Sequence, residues 1–182
     1  SLADLHGMAA ADMDLPVATI VTTGTDAAYI LFTSGSTGRP KGALSAHAGA
    51  VSRCLWMWRE LEFTASEVFA QRTSLNFVDS IWEIFGPLLH GARLVVLPAK
   101  DEQDPVAITR WLQHEEITHL VTVPVLLDAL LTASATVGAP AALRSVISSG
   151  EAMSPALAGR CADIWPRAEL INTYGMSEIW DA

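Results

Sequence analysis

Hydroxyl side chains, glycines and two cations follow an apolar stretch in the run from Phe32 to Gly42, FTSGSTGRPKG. Glycine permits backbone angles that are closed to other residues, so successive N–H groups of such a loop can point at one anion. Hydroxyl groups add donors, and Arg39 and Lys41 supply positive charge. The run therefore predicts a phosphate-binding loop, with hydroxyls from Thr33, Ser34, Ser36 and Thr37 and glycines at Gly35, Gly38 and Gly42.

Two other interpretations of this loop are weaker. The Walker loop of nucleotide triphosphatases has Gly-Lys-Ser/Thr in succession, whereas here Pro40 separates Gly38 from Lys41 and a glycine follows the lysine. A cluster of Gly, Ser and Thr is also typical of an ordinary surface loop. The ordered pattern and further motifs downstream favour a phosphate site instead.

The composition bounds the class of protein. The 182-residue chain is 51% hydrophobic, which is enough for one sizeable core and so for one domain or a large piece of one. Its formal net charge of −9 argues against a general nucleic-acid or anionic-membrane surface. Cys54 and Cys161 lie far apart without metal-ligand spacing. With no leader or membrane-spanning run in the sequence, we expect a cytoplasmic protein with neither a nucleic-acid nor a membrane partner.

Short apolar runs alternate with segments of helical period from Asp26 onward. This alternation is typical of an α/β fold in which a mostly parallel sheet is flanked by helices. Residues 1–25 are weakly patterned, and we interpret them as an approach segment. The predicted strands are Ala27–Phe32, Val68–Thr73, Arg93–Leu97, His119–Val123, Ser145–Ser148 and Glu169–Thr173. The predicted helices are His47–Leu61, Ser80–Leu89, Pro105–Glu115, Val125–Leu131 and Pro155–Ile164.

Three polar segments each follow a predicted strand: Thr33–Gly42, Ser149–Glu151 and Asn172–Gly175. Ligands of parallel α/β folds gather at the carboxyl ends of the strands. The three segments can therefore meet at one edge of the predicted sheet. Taken singly, Ser149–Glu151 is more typical of a turn, and Tyr174 of a half-buried core ring.

Read together, three motifs resemble those of the AMP-forming adenylation superfamily of acyl-CoA synthetases, luciferases and nonribosomal peptide synthetase adenylation domains. Residues 29–42 resemble the family's phosphate loop. Residues 76–85, which run into 87–97, are similar to the peptide-synthetase substrate motif and the strand after it. Residues 172–178, NTYGMSE, resemble the adenine-and-magnesium motif. The resemblance implies that residues 26–182 are a partial adenylation domain from the core of the large N-terminal domain, without the family's C-terminal subdomain.

The reaction that this resemblance implies is that of an AMP-forming ligase. A substrate carboxylate attacks the α-phosphorus of ATP, which gives an acyl-adenylate and pyrophosphate. A carboxylate is already ionised at neutral pH, so no general base is required. The implied cofactors are ATP and Mg²⁺, and the acyl group then passes to phosphopantetheine on an acyl or peptidyl carrier protein, or to CoA.

The resemblance also implies roles for individual residues. Tyr174 stacks on adenine, Glu178 binds Mg²⁺ and Lys41 anchors the phosphate loop. The catalytic residues are then Thr33, Lys41 and Glu178. The nucleotide-binding residues are Thr33, Ser34, Gly35, Ser36, Thr37, Gly38, Lys41, Gly150, Glu151, Asn172, Thr173, Tyr174 and Gly175.

The substrate motif departs from that of amino-acid-activating relatives, in which Phe-Asp opens the motif and the aspartate pairs with the α-ammonium group. Here the pair is Phe77-Val78. Valine cannot pair with an ammonium ion, and a buried unpaired cation is costly, so a standard α-amino acid is disfavoured. The implied pocket residues are Phe77, Val78, Asp79, Trp82, Leu126, Ile147, Ser149, Thr173, Asp181 and Ala182.

The substrate and the activity of the chain each have two interpretations. Asp79 or Asp181 can bind a β-amino group or another displaced amine, or the substrate is a hydroxy, keto or aryl acid that needs no ammonium partner. Asp79 is equally expected to cap the helix that follows it, and Trp82 to be a core residue. The alternative to an adenylating enzyme, whose fragment alone we expect to be inactive or weakly active, is a truncated relative that binds a partner.

Overall fold

The computed structural model describes residues 21–33, 39–61 and 63–175, and these form an α/β fold with every predicted strand and helix present. Element bounds differ from the predicted ones by at most two residues, with one exception, the helix that begins at Pro124. The strands are β1 Ala27–Thr33, β2 Lys41–Ala46, β3 Val68–Gln71, β4 Arg93–Val96, β5 His119–Thr122, β6 Ser145–Ser148 and β7 Glu169–Asn172. The helices are α1 His47–Glu60, α2 Asp79–His90, α3 Pro105–His114, α4 Pro124–Val137 and α5 Pro155–Ile164, with a 3₁₀ turn at Ala99–Asp101.

Five strands form a parallel sheet in the order β4-β3-β5-β6-β7. The chain moves from β3 to β4 in one direction and then crosses back to place β5 on the other side of β3. Because such crossovers are right-handed, the helix of the first connection covers one face and the helices of the later connections cover the other. The boundary between β3 and β5 is thus a topological switch point, where a crevice opens at the carboxyl edge.

The first two strands form a separate hairpin. β1 pairs antiparallel with β2, with Phe32 opposite Gly42 and Thr33 opposite Lys41. Strand β2 was not predicted, and Lys41 and Gly42 were expected in a loop that follows a strand of the parallel sheet. That expectation is wrong, because both residues lie in β2, which pairs antiparallel with β1 and not with a strand of the parallel sheet.

Strands β3, β5 and β6 are buried on both faces. Because successive side chains of a strand point to opposite faces, each strand contributes to two separate cores. One core lies under α1 and α2, and the other under α3, α4 and α5. The strand residues of the first core are Phe69, Val121 and Ile147, and those of the second are Ala70, Leu120 and Val146.

Helix ends carry recognisable signals. Asp104 caps α3 by accepting from the Val106 N–H at 2.9 Å, and proline occupies the first position of α3, α4 and α5. Helix α4 continues to Val137 and ends before Gly138, whose φ of 88° suits glycine. Within the described ranges, no helix is both long and apolar enough to cross a bilayer.

A buried polar cluster closes the amino edge of the sheet, opposite the crevice. His119 Nδ1 lies 2.6 Å from Ser145 Oγ, and its Nε2 lies 3.1 Å from the Glu67 carboxylate. Arg144 donates to the other Glu67 oxygen at 2.7 Å. Burial lowers the pKa of His119 well below 6.5, since it outweighs the opposing attraction of Glu67. The imidazole is therefore neutral in the folded protein at neutral pH.

This cluster predicts a pH dependence of stability. The unfolded chain binds a proton at His119 near pH 6.5, whereas the folded chain does so only at lower pH. The contribution of His119 to the free energy of unfolding should therefore fall as the pH drops below 6.5. Urea denaturation of the full chain and of His119→Gln at pH 7 and pH 5 measures this contribution, and the stability of the unaltered chain relative to His119→Gln should be lower at pH 5 than at pH 7. A difference between the two proteins that stays the same at both pH values would contradict the assignment.

Candidate active-site cleft

A cleft of about 480 Å³ opens at the carboxyl edge of the sheet, at the switch point between β3 and β5. Its wall is built from residues at or just beyond the ends of four strands and from the start of α2. This is the position at which open α/β sheets bind ligands. The lining residues are Arg72, Thr73, Ser74, Phe77, Asp79, Leu97, Glu102, Gln103, Val121, Thr122, Val123, Ser149, Gly150 and Glu151.

Asp79 is the acidic group that α2 presents to this cleft. One carboxylate oxygen accepts from Ser149 Oγ at 2.6 Å, and the other accepts from Trp82 Nε1 at 2.9 Å. The residue before the helix is Val78, and no side chain caps this end. The capping role considered for Asp79 is therefore not observed, and its oxygens bind Trp82 and Ser149 instead. Among the described residues Asp79 makes no salt bridge, so both of its donors are neutral.

Trp82 belongs to the core and not to the cleft wall. Its side chain is fully buried beside Met57, Phe69 and Val121, and it reaches the cleft only through its N–H bond to Asp79. Val78 is buried as well, whereas Phe77 is 63% exposed and lines the cleft. The structure thus brings Phe77, Asp79 and Ser149 together.

Two other predicted pocket residues lie away from the lining. Ile147 is fully buried in the core with Trp82. Leu126 lies in the first turn of α4 and packs half-buried against the second core. In the part of the protein that the structure describes, neither side chain lines the cleft, and their place in the substrate pocket stays a prediction.

Glu83 holds the β3 exit loop against α2, a role that the sequence analysis did not identify. Its carboxylate accepts from the Thr73 N–H at 3.0 Å and from the Thr73 hydroxyl at 3.0 Å. Burial raises the pKa of Glu83 to about 7, against the lowering effect of these bonds and of nearby Arg72. An acidic residue on the buried face of an otherwise apolar helix was the only sequence signal. Glu83 thus fixes Arg72 and Thr73 as one wall of the cleft.

The exits of β6 and β7 carry the predicted adenine-binding residues. Gly150 has a φ of 82°, a conformation that favours glycine, and with Glu151 it lines the cleft. Thr173 is buried, and its N–H donates to the Ser148 carbonyl at 2.9 Å. Within the described residues its Oγ1 has no partner, so a buried hydroxyl is available at this edge.

Tyr174 and Asn172 of the same segment lie at the surface. Tyr174 is 72% exposed, which excludes the half-buried core ring considered above. Asn172, the last residue of β7, is exposed, and Gly175 follows as a half-buried residue. An exposed ring at a strand exit offers a flat surface on which a planar group can stack.

The hairpin brings together the ends of the predicted phosphate loop. Thr33 Oγ1 donates to the Lys41 carbonyl at 3.5 Å, and the Lys41 side chain is exposed. In the described ranges, no three His, Cys, Asp or Glu side chains cluster to form a metal site. The predicted residues that lie outside the described residues are Ser34, Gly35, Ser36, Thr37, Gly38, Glu178, Asp181 and Ala182.

Comparison with known proteins identifies the family. Residues 4–180 match the family model described as AMP-binding enzyme. The chain is 38% identical over 153 residues to tyrocidine synthase 3 of Brevibacillus parabrevis, covering 84% of this chain and 2% of that protein. It is also 38% identical over 161 residues to the beta-alanyl-bioamine nonribosomal peptide synthetase ebony of Drosophila melanogaster, covering 84% of this chain and 18% of ebony.

A solved structure shares the fold. The nonribosomal peptide synthetase FmoA3 in its AMPPNP-bound form superposes with a TM-score of 0.80 at 29% identity, over 92% of this chain and 18% of that chain. The chain therefore spans a small part of the relatives that it matches. The resemblance seen in the three sequence motifs is confirmed, as is the predicted fold class. The chain belongs to the AMP-binding enzyme family, and the relatives that it matches contain adenylation domains of nonribosomal peptide synthetases.

Proposed function

We propose that the complete natural protein uses ATP to activate a carboxylic acid as its acyl-adenylate. A carboxylate oxygen of the substrate forms a bond to the α-phosphorus of ATP, the bond from that phosphorus to the bridging oxygen breaks, and pyrophosphate leaves. The observation that carries the proposal is the cleft at the switch point, because a family with this chemistry would place its substrate at this edge. Residues 26–182 then form the core of the N-terminal part of an adenylation domain.

The nucleotide would lie across the exits of β6 and β7. Tyr174 offers an exposed ring for adenine, and the backbone at Gly150 and Glu151 offers polar groups for its edge. The hydroxyls between Thr33 and Thr37 and the cation of Lys41 would hold the phosphates. The AMPPNP-bound FmoA3 structure supports this use of ATP.

Glu178 is the residue that we assign to Mg²⁺. A carboxylate oxygen is a hard ligand of the kind that Mg²⁺ prefers, and the ion commonly takes its other ligands from phosphates and water. When bound, the ion would neutralise phosphate charge as pyrophosphate leaves.

The substrate that the cleft supports best is a β-amino acid. The Asp79 carboxylate lines the cleft and accepts hydrogen bonds from two neutral donors, Trp82 and Ser149. Its negative charge therefore suits a substrate ammonium group. Val78 cannot supply the carboxylate that would pair with an α-ammonium group. Moving the amine from the α-carbon to the β-carbon changes its position relative to the reacting carboxylate, and the carboxylate that the start of α2 presents to the cleft is that of Asp79. The relative ebony, a beta-alanyl-bioamine nonribosomal peptide synthetase, supports the same class.

A second step would transfer the acyl group to a thiol. The sulfur of phosphopantetheine on a carrier protein would attack the acyl carbon, and AMP would leave. Nonribosomal peptide synthetases among the relatives support a carrier protein over free CoA as the partner.

The proposed reaction is tested by ATP–pyrophosphate exchange with the complete natural protein. Exchange should require an added carboxylic acid, because pyrophosphate is released only when an acyl-adenylate forms. A module that only binds a partner would show no exchange with any acid. ATP hydrolysis that is independent of an added acid would instead indicate a phosphatase, and either result would contradict the proposal.

A further inference from the structure

Arg53 lies between two tryptophan rings beneath the cleft. Its guanidinium carbon is 4.2 Å from the ring centroid of Trp56 and 4.5 Å from that of Trp82. Arg53 is 6% exposed and Trp82 is fully buried. Arg53 and Trp56 are three residues apart on α1 and so share a face, while Trp82 comes from α2. The guanidinium thus joins the two helices on this side of the sheet.

A buried cation in this position needs a specific reason. Removing a charge from water is costly unless the protein supplies compensating interactions. The faces of two indole rings attract a cation placed within about 6 Å, and the planar guanidinium stacks on them as an ammonium group cannot. The pair of rings therefore favours arginine over lysine at this position.

The same indole connects Arg53 to the cleft. Trp82 Nε1 donates to Asp79 at 2.9 Å, and the other Asp79 oxygen accepts from Ser149 at 2.6 Å. A cation on the ring face fixes the ring and polarises its N–H, which strengthens the bond that this N–H donates. A continuous series of contacts therefore runs from α1 through Trp82 to the carboxylate that faces the substrate.

We propose that Arg53 is a positioning residue for substrate selection, which sets the orientation of the Asp79 carboxylate through Trp82 without touching the substrate. This inference rests on the proposed function, since it concerns the acid that is activated. Loss of the guanidinium leaves the Trp82 ring less constrained, and Asp79 then pairs less well with a substrate ammonium group. Binding of ATP should stay the same, because none of the contacts proposed for the nucleotide involves Trp82 or the Asp79 carboxylate.

The test is ATP–pyrophosphate exchange by Arg53→Lys in the complete natural protein. We expect KM for β-alanine to rise about 5-fold to 10-fold, from the loss of stacking by a cation that remains charged. KM for ATP should stay within about 2-fold. Arg59→Lys is the matched control, because Arg59 lies on the same helix with a side chain that is 76% exposed and should leave both values unchanged. A parallel rise in KM for ATP would overturn the inference.

Two further variants separate positioning from a general loss of structure. Trp82→Phe keeps a ring for Arg53 but removes the N–H, so it should raise KM for β-alanine by a similar factor. In an Asp79→Asn background, Arg53→Lys should change KM by less than about 2-fold, because both act through one carboxylate. If Arg53→Lys raised KM for β-alanine by the same factor in the Asp79→Asn background as in the unaltered protein, the inference would be overturned. An unchanged KM for β-alanine in Trp82→Phe would also overturn it. Absence of exchange in the unaltered protein would refute the proposed function itself.

Discussion

Replacement of Asp79 by alanine is expected to lower kcat/KM for a β-amino acid by at least about 30-fold, which corresponds to roughly 2 kcal/mol. The carboxylate faces the cleft with neutral donors at both oxygens, so an ammonium group that loses it is left desolvated and unpaired. KM for ATP should not change. Pyrophosphate exchange with β-alanine and ATP varied separately measures both values.

Two matched variants identify the source of the loss. Asp79→Asn retains an oxygen for Trp82 and Ser149 but removes the charge, and it should lose nearly as much activity as alanine does. Ser149→Ala removes one donor to Asp79 and leaves the charge, so its loss should be much smaller. If Asp79→Asn retained full activity with β-alanine, charge pairing at this residue would be refuted.

Replacement of Glu83 by alanine is expected to lower the free energy of unfolding by roughly 3 kcal/mol at pH 6. The N–H and the hydroxyl of Thr73 both donate to this buried carboxylate, and alanine leaves them without acceptors. Urea denaturation of the full chain measures the loss. Glu60→Ala is the control, because Glu60 is exposed at the end of α1 and its ion pair with Arg59 lies at the surface. Equal losses in the two variants would contradict the role of Glu83.

A pH series gives Glu83 its own signature. Its pKa is about 7 in the folded protein and near 4.5 in the unfolded chain. Between these values the folded state keeps a proton that the unfolded state has released, so stability falls as the pH rises. The side chain of Glu83→Gln cannot ionise, so this variant lacks the fall. Between pH 4.5 and pH 8, its free energy of unfolding should rise by roughly 3 kcal/mol relative to that of the unaltered chain. The direction is opposite to that of His119, which destabilises the fold as the pH falls.

Much of the fold was predictable because local signals agreed with the architecture. Ser145–Ser148 was predicted with its observed bounds, since a short apolar run between turn residues is typical of a buried parallel strand. Strand β2 was missed because Lys41 and Gly42 fit a loop as well as a strand, and only the pairing of Gly42 with Phe32 decides between them. Helix α4 was predicted too short, because the small polar residues after Leu131 weaken the apolar pattern without ending the helix.

The candidate site was predictable only in part. The position of Ser149 and Gly150 at a strand exit follows from the alternation of elements, and the structure places both in the cleft. The partners of Asp79 could not be predicted, because capping a helix and bonding to a distant serine require the same residue type. Glu83 and Arg53 were missed for a related reason, since a charged residue inside an apolar helix gives no sign of what it will meet across the core.

The most direct measurement is ATP–pyrophosphate exchange by the complete natural protein with β-alanine and L-alanine, which contain the same atoms and differ only in the position of the amine. The proposed cleft predicts strong exchange with β-alanine and little with L-alanine, because Asp79 carries the carboxylate and Val78 does not. Strong exchange with L-alanine and none with β-alanine would contradict the account.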